Sequence, residues 1–289
     1  MFIKSAIKKN SKFIRNFIAK GEKLTMSKND ENIIISITSF PPRIEKIHLA
    51  IHSIINQTIR PNKIILSLNK DQFNGIKLPE SLMELTKIGL EIKWVEKDFK
   101  SFNKLYYVLN DYPTDIIIIV DDDSVYKKNL IAELLNAHQA HPDCICANIT
   151  HKIKNKNNKL RKYSESKWWT QLWEPWFAQK PNFKNFAVGG GGALYKRSFV
   201  NDEFFNNANF TKLCPKADDI WFWCMSVYNN TKTCSVKKWM NYKCFYKGKS
   251  PCALSITNCA KTGTLTNDVQ FVNVIEKYPI IEEKICKKN

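Results

Sequence analysis

With 289 residues, 44% of them hydrophobic and 25% charged, the chain is long enough to bury a substantial core and too apolar to be disordered throughout. Its 45 Lys and Arg against 27 Asp and Glu leave a formal charge of +18, which points to a negative partner: nucleic acid, an anionic membrane surface or a phosphorylated small molecule. Nine cysteines, an odd number without a C-x-x-C pair, exclude a regular disulfide framework or zinc ribbon and read as reduced thiols in a cytoplasmic protein.

Residues 1–26 read as a basic amphipathic arm. Phe2, Ile3, Ala6, Ile7, Phe13, Ile14, Phe17 and Ile18 fall on one side of a helical wheel, and Lys4, Lys8, Lys9, Lys12 and Arg15 on the other. The arm has no apolar run of the roughly 20 residues that spanning requires, and lysines interrupt any signal-peptide core. One reading is a helix in the headgroup layer of an anionic membrane, which makes the protein peripheral on the inner face of the cell membrane. The other is a surface helix docking on the protein's own core.

From residue 27 onward the pattern is that of a single α/β domain. Ile33–Ile37 is a buried strand, followed by a helix from Ile44 to about Asn56. Lys63–Leu68, Leu90–Val95, Asp115–Val120 and Cys144–Ile149 read as further strands, and Pro79–Ile88 and Phe102–Asn110 as helices, with Gly89 positioned to end the first of these. β-Branched runs separated by helices imply a doubly wound sheet, whose ligands bind beyond the carboxyl ends of the strands. The Asn- and Lys-rich stretch 152–162 reads as a mobile loop.

Asp121, Asp122 and Asp123 stand at such a strand end. Three adjacent carboxylates repel one another, and a hard divalent cation, Mn2+ or Mg2+, removes that cost. Alternation lets Asp121 and Asp123 turn inward as metal ligands while Asp122 points elsewhere. The plain alternative is a solvated acidic turn ahead of a helix starting near Lys128. His151 is a possible third ligand or phosphate contact, and equally an ordinary polar residue. Gly189–Gly192 allow close approach of a ligand to the backbone, without the Gly-Lys-Ser/Thr of a P-loop.

Five pieces together resemble the family-2-like glycosyltransferases of the GT-A fold, particularly bacterial enzymes that build surface polysaccharide. They are Ser36-Ile-Thr-Ser-Phe-Pro-Pro-Arg-Ile44, Ile54-Ile-Asn-Gln-Thr-Ile-Arg-Pro-Asn-Lys-Ile-Ile65, Asp115-Ile-Ile-Ile-Ile-Val-Asp-Asp-Asp123, Val188-Gly-Gly-Gly-Gly-Ala-Leu-Tyr195 and Ala217-Asp-Asp-Ile-Trp-Phe222. The resemblance implies a GT-A-like doubly wound mixed sheet with a nucleotide-sugar half (27–130) and an acceptor half (131–289). Asp121 and Asp123 then hold the metal against a donor diphosphate, with Asp122, Gly190 and Gly191 beside the donor. Thr38, Ser39, Phe40 and Arg43 become contacts to base, ribose or phosphate, Asp98 a nucleotide contact and Lys104 a diphosphate contact. The second strand departs from the pattern, ending in Ser67-Leu68-Asn69 where an acidic residue is common.

The same resemblance implies inverting transfer from a UDP-linked donor to a glycan or lipid-linked acceptor. Asp219 is then the base that takes the proton of the acceptor hydroxyl, with Asp218 in support, although either residue also suits a helix N-cap. Trp168, Trp169, Trp173, Trp176 and Phe177 offer flat faces for sugar rings or a membrane surface, and Trp169 and Trp173 equally suit a core. Two other functions share these residues: a Mg2+-dependent nucleotidyl or phosphoryl transferase, and a basic nucleic-acid binder. The absence of a Gly-Lys phosphate motif weakens the first and the absence of any nucleic-acid motif the second, so no nucleic acid is expected as partner.

Overall fold

Isoleucine-rich runs form strands because branched side chains pack well on both faces of a pleated sheet. In a computed structural model, which describes residues 2–20, 32–168, 170–238, 243–244 and 265–286, the chain divides into two units. The first holds the described residues up to Glu133 together with Gly190–Gly192 and Lys243–Cys244; the second holds the others. The N-terminal helix and two later segments thus belong to the first unit.

In the first unit, β1 (Ile33–Thr38), β2 (Lys63–Asn69), β3 (Leu90–Val95) and β4 (Ile116–Ile119) pair in parallel in the order β4-β1-β2-β3. Ile35 lies opposite both Ile118 and Ile64, and all three are fully buried. β3 is the edge strand, buried at its ends Leu90 and Val95 and open between them, with Trp94 exposed. A short strand β5 (Ser124–Val125) follows the acidic triplet and pairs with Lys243–Cys244.

Helix α1 (Phe2–Ala19) forms where the amphipathic pattern predicts, and packs on a helix of its own unit. The expected helix from Ile44 is two pieces, α2 (Pro41–Ile44) and α3 (Ile47–Ile55), because Pro41 and Pro42 start a separate turn. Helices α4 (Glu80–Thr86) and α5 (Asn103–Asp111) complete the alternation. Ile14 and Phe17 of α1 are buried, Asn56 Nδ2 donates to Asn10 Oδ1 at 2.8 Å, and the Arg60 guanidinium lies 4.7 Å from the centre of the Phe17 ring. Those two side chains are therefore engaged within their own unit. Lys8, Lys9, Lys12 and Arg15 remain exposed. Among the described residues no helix is long and apolar enough to cross a membrane.

The second unit begins after the start of α6 (Leu130–Ala140). The expected strand Cys144–Ile149 is shorter and is followed by another, β6 (Ile145–Ala147) and β7 (Thr150–Lys152), each with its own partners. The basic stretch that reads as a mobile loop is a hairpin of β8 (Asn155–Lys156) and β9 (Lys159–Leu160). Asn157 and Asn158 take φ values of 51° and 57°, the left-handed pair that closes a two-residue turn. Beyond it lie α7 (Thr170–Trp173), α8 (Pro175–Gln179), β10 (Asn185–Ala187) and β11 (Ala193–Tyr195), then α9 (Asn207–Leu213), α10 (Asp218–Tyr228) and β12 (Thr233–Ser235). β6 pairs in parallel with β12 and antiparallel with β11, making this sheet mixed, while β7 pairs antiparallel with β10. Helix α10 fills the core of the unit. Trp221 and Trp223 are buried, and their indole N–H groups donate to the carbonyls of Phe204 and Asn185 at 3.0 and 3.1 Å.

Candidate active site

In the first unit the acidic triplet follows β4 directly, and its side chains divide by direction. Asp122 points into the protein and is buried: Ser39 Oγ donates to its Oδ2 at 2.6 Å and Arg43 Nη1 to its Oδ1 at 2.7 Å. The side chains of Asp121 and Asp123 keep 38% and 18% of their surface. Asp122 thus lies to one side and Asp121 and Asp123 to the other, because a half-buried guanidinium and a buried hydroxyl capture the middle carboxylate. Asp122 is held by Ser39 and Arg43.

Each outer carboxylate has a cation beside it. Lys104, itself buried on α5, sets its Nζ 3.1 Å from Asp121 Oδ1, and Arg43 Nη1 lies 3.1 Å from Asp123 Oδ2. Ser124 Oγ donates to Asp123 Oδ1 at 3.0 Å. Burial pushes the Asp122 carboxyl up to about 6, against the opposing pull of Arg43 and Ser39. Burial and then the like charge of Asp121 raise the Asp123 carboxyl. Burial works against the Arg43 cation, yet the charges of Asp122 and Asp123 prevail and its pKa rises.

Of the other residues expected here, Ser39, Phe40 and Arg43 sit together, with the guanidinium 5.5 Å from the centre of the Phe40 ring. Thr38 Oγ1 donates to the Ser67 carbonyl at 2.9 Å and so ties the ends of β1 and β2. Asp98 accepts from Gln72 Nε2 at 2.6 Å, from the Lys100 backbone N–H at 2.8 Å and from Asn103 Nδ2 at 3.3 Å. It thereby organises the turn into α5, where Lys100 holds φ 56°.

Sequence reasoning missed Tyr126. Its hydroxyl accepts from the Asp121 backbone N–H at 2.8 Å and donates to the Gly190 carbonyl at 2.9 Å, so one side chain fixes both the start of the triplet and the glycine segment. Nothing in the local pattern marks a tyrosine five residues after an aspartate as such a link. Gly189–Gly191 form a tight 3-10 turn, and of the four glycines Gly192 takes a positive φ, 96°. A Cβ there would come within 2.9 Å of a Leu130 methyl.

In the second unit, Asp218 and Asp219 occupy the first turn of α10, where carboxylates complement the helix dipole. Neither is the N-cap; Ala217 holds that place, which corrects the capping alternative. Asp218 is buried, and the half-buried Asp219 accepts from the Gly189 backbone N–H at 3.3 Å. His151 is buried on β7, its ring 4.2 Å from Trp168 and stacked 6.2 Å from Phe186, and burial takes its pKa down to about 4. Among the described residues no group of three His, Cys, Asp or Glu side chains is placed to hold a metal ion, so His151 is not gathered into a ligand set. His151 packs among aromatic side chains. Trp173 and Trp176 are 70% and 66% exposed, which excludes the core reading for Trp173; Trp169 lies outside the described residues.

Comparison with known proteins places the chain in a family. No curated protein matches it. Among solved structures it is similar to S. aureus TarS 1-349 in complex with UDP, at 11% identity and TM-score 0.46, covering 73% of this chain and 59% of that one. S. aureus TarS 1-349 matches at 12% identity and TM-score 0.44 with the same coverage. S. aureus TarS matches at 12% and 0.44, covering 73% of this chain and 36% of that one. The chain thus spans less than two thirds of the length of these relatives. Residues 42–204, from the start of the Arg43 turn through β11, match Glycosyl transferase family 2, and since they make up more than half of the sequence, the chain belongs to that family.

Proposed function

We propose that the protein transfers a sugar from a nucleotide-sugar donor, UDP-linked, to a glycan or lipid-linked acceptor, with inversion at the anomeric carbon. The observation that carries this reading is the outward pair Asp121 and Asp123 flanking an inward Asp122 at a strand end. Their oxygens suit Mn2+ or Mg2+, which keeps further positions for phosphate oxygens and water. The raised pKa of Asp123 supports the fit, since burial and then the like charge of Asp121 make its anion costly, and a divalent ion would remove that cost. When bound, the ion supplies positive charge to the departing diphosphate.

The chain's own residues do the rest in this reading. Lys104 and Arg43, already beside Asp121 and Asp123, would offset the charge of the phosphate oxygens. Asp122 and Ser39 keep Arg43 oriented, and Tyr126 holds the Asp121 backbone in place. Asp219 accepts the proton of the attacking hydroxyl. The exposed Lys8, Lys9, Lys12 and Arg15 support electrostatic attachment to the anionic inner face of the cell membrane.

The reading is tested by calorimetric titration of UDP with and without Mn2+, alongside transfer assays on a panel of nucleotide sugars. Asp123→Ala is expected to lose Mn2+-dependent UDP affinity and Asp219→Asn to slow transfer about 10²- to 10⁴-fold with UDP affinity kept. UDP binding by Asp123→Ala equal to wild type, with no donor consumed by either protein, rejects it.

A further inference from the structure

The β8–β9 hairpin and its flanks enclose an open cavity of about 480 Å3 lined by Lys152, Lys154, Lys156, Arg161 and Lys184, with Glu165 the lone carboxylate. Five positive charges against one negative leave the lining at +4. Arg161 is paired with Glu165 at 2.7 Å and Lys152 with Glu174 at 2.7 Å. Among the described residues no carboxylate pairs with Lys154, Lys156 or Lys184. The lining cannot relax by unfolding the loop, because the hairpin is fixed at several points. The left-handed Asn157 and Asn158 set its turn, the Arg161 N–H donates to the Lys154 carbonyl at 2.8 Å, and the Leu160 N–H donates to Glu282 Oε1 at 2.7 Å. Like charges held in a concavity focus a positive potential that an anionic ligand offsets.

Building on the glycosyltransferase reading, we infer that this cavity is a subsite for an anionic acceptor, a glycan chain bearing phosphate or carboxylate groups. The phosphates of the donor are already served by Arg43 and Lys104 of the first unit, whereas the cavity is built from second-unit residues, as is the base Asp219. Glu174, which holds Lys152, lies between Trp173 and Trp176, whose exposed indole faces suit the apolar faces of sugar rings. The concave placing of the cations favours charged groups of a chain that enter one at a time over a flat lipid surface.

The test uses the full-length protein and the variant K154E/K156E/K184E, with K154Q/K156Q/K184Q as a milder second form. All three positions are solvent-facing or half-buried, so the fold is expected to persist. Binding is measured for labelled polyphosphate and oligogalacturonate, with maltoheptaose as the neutral chain and phosphatidylglycerol vesicles and duplex DNA as other polyanions. Wild type is expected to bind at least one of the first two probes, with salt-dependent affinity, and maltoheptaose at least tenfold more weakly. The Glu variant should lose about tenfold or more in anionic-chain affinity and the Gln variant less, while UDP affinity with Mn2+ is unchanged. Which probe binds separates phosphate from carboxylate acceptors. Anionic-chain affinity equal in all three proteins overturns the inference, as does binding confined to vesicles or DNA. Loss of UDP binding in the wild type itself instead strikes the glycosyltransferase reading.

Discussion

The acidic strand end of the first unit and the basic hairpin of the second are both crowded with charge, and they resolve it in opposite ways. After β4 the counter-charge is internal: Lys104 faces Asp121, and Arg43 serves both Asp122 and Asp123. Around β8 and β9, Lys154, Lys156 and Lys184 face a cavity and, among the described residues, pair with no carboxylate. A cluster paired within the protein has fixed geometry, which the proposed binding of a divalent ion and a diphosphate would use. An unbalanced one leaves its neutralisation to a ligand and places weaker demands on the fold.

The sharpest way to break this comparison is to remove a member of the balanced cluster. Asp122→Ala removes the nearest partner of the half-buried Arg43 and two charge-assisted hydrogen bonds, and is expected to cost about 2–3 kcal/mol of stability, read by thermal or denaturant unfolding. A loss below about 1 kcal/mol would show that the cluster is not a structural unit.

Acid probes the same contrast with a smaller effect. Burial lowers the pKa of His52 and of His151 to about 4, while an unfolded histidine titrates near 6.5, so the unfolded state binds more protons between these values and stability falls as pH falls. Asp122, raised to about 6, acts in the opposite sense, gaining a proton in the folded state first. Two histidines outweigh one carboxyl, and the net loss between pH 7 and 5 is about 2 kcal/mol, since each tenfold difference in proton affinity between the folded and unfolded states is worth about 1.4 kcal/mol. Unfolding midpoints across that range check it, and His52→Gln should flatten the curve.

The smallest effect belongs to the hairpin. Lys156→Ala removes an exposed cation that has no ion pair among the described residues, and is expected to change stability by less than about 0.5 kcal/mol in chemical denaturation. A loss comparable to that of Asp122→Ala would mean the hairpin cations are structural after all.

Much of the first unit was legible in the sequence, because runs such as Ile116–Ile119 can be satisfied only by burial on both faces. The triplet at the end of that run was legible for the same reason. Tyr126 was not, since its role depends on a glycine 64 positions away. Nor was the order of stretch 152–162, where Asn157 and Asn158 supply a turn that composition alone reads as looseness. Trp173 misled in the other direction: an indole at helical spacing suggests a core, yet α7 is a single turn that leaves it outside.

By itself the sequence determined the parallel strands, the acidic strand end and the family, since hydrophobic period and ordered motifs are local and survive without coordinates. Tertiary structure alone decided which aspartate faces inward, what α1 covers and where positive charge stays unpaired. Those outcomes rest on which side chain captures which partner across tens of residues, and a one-dimensional pattern carries no record of that competition.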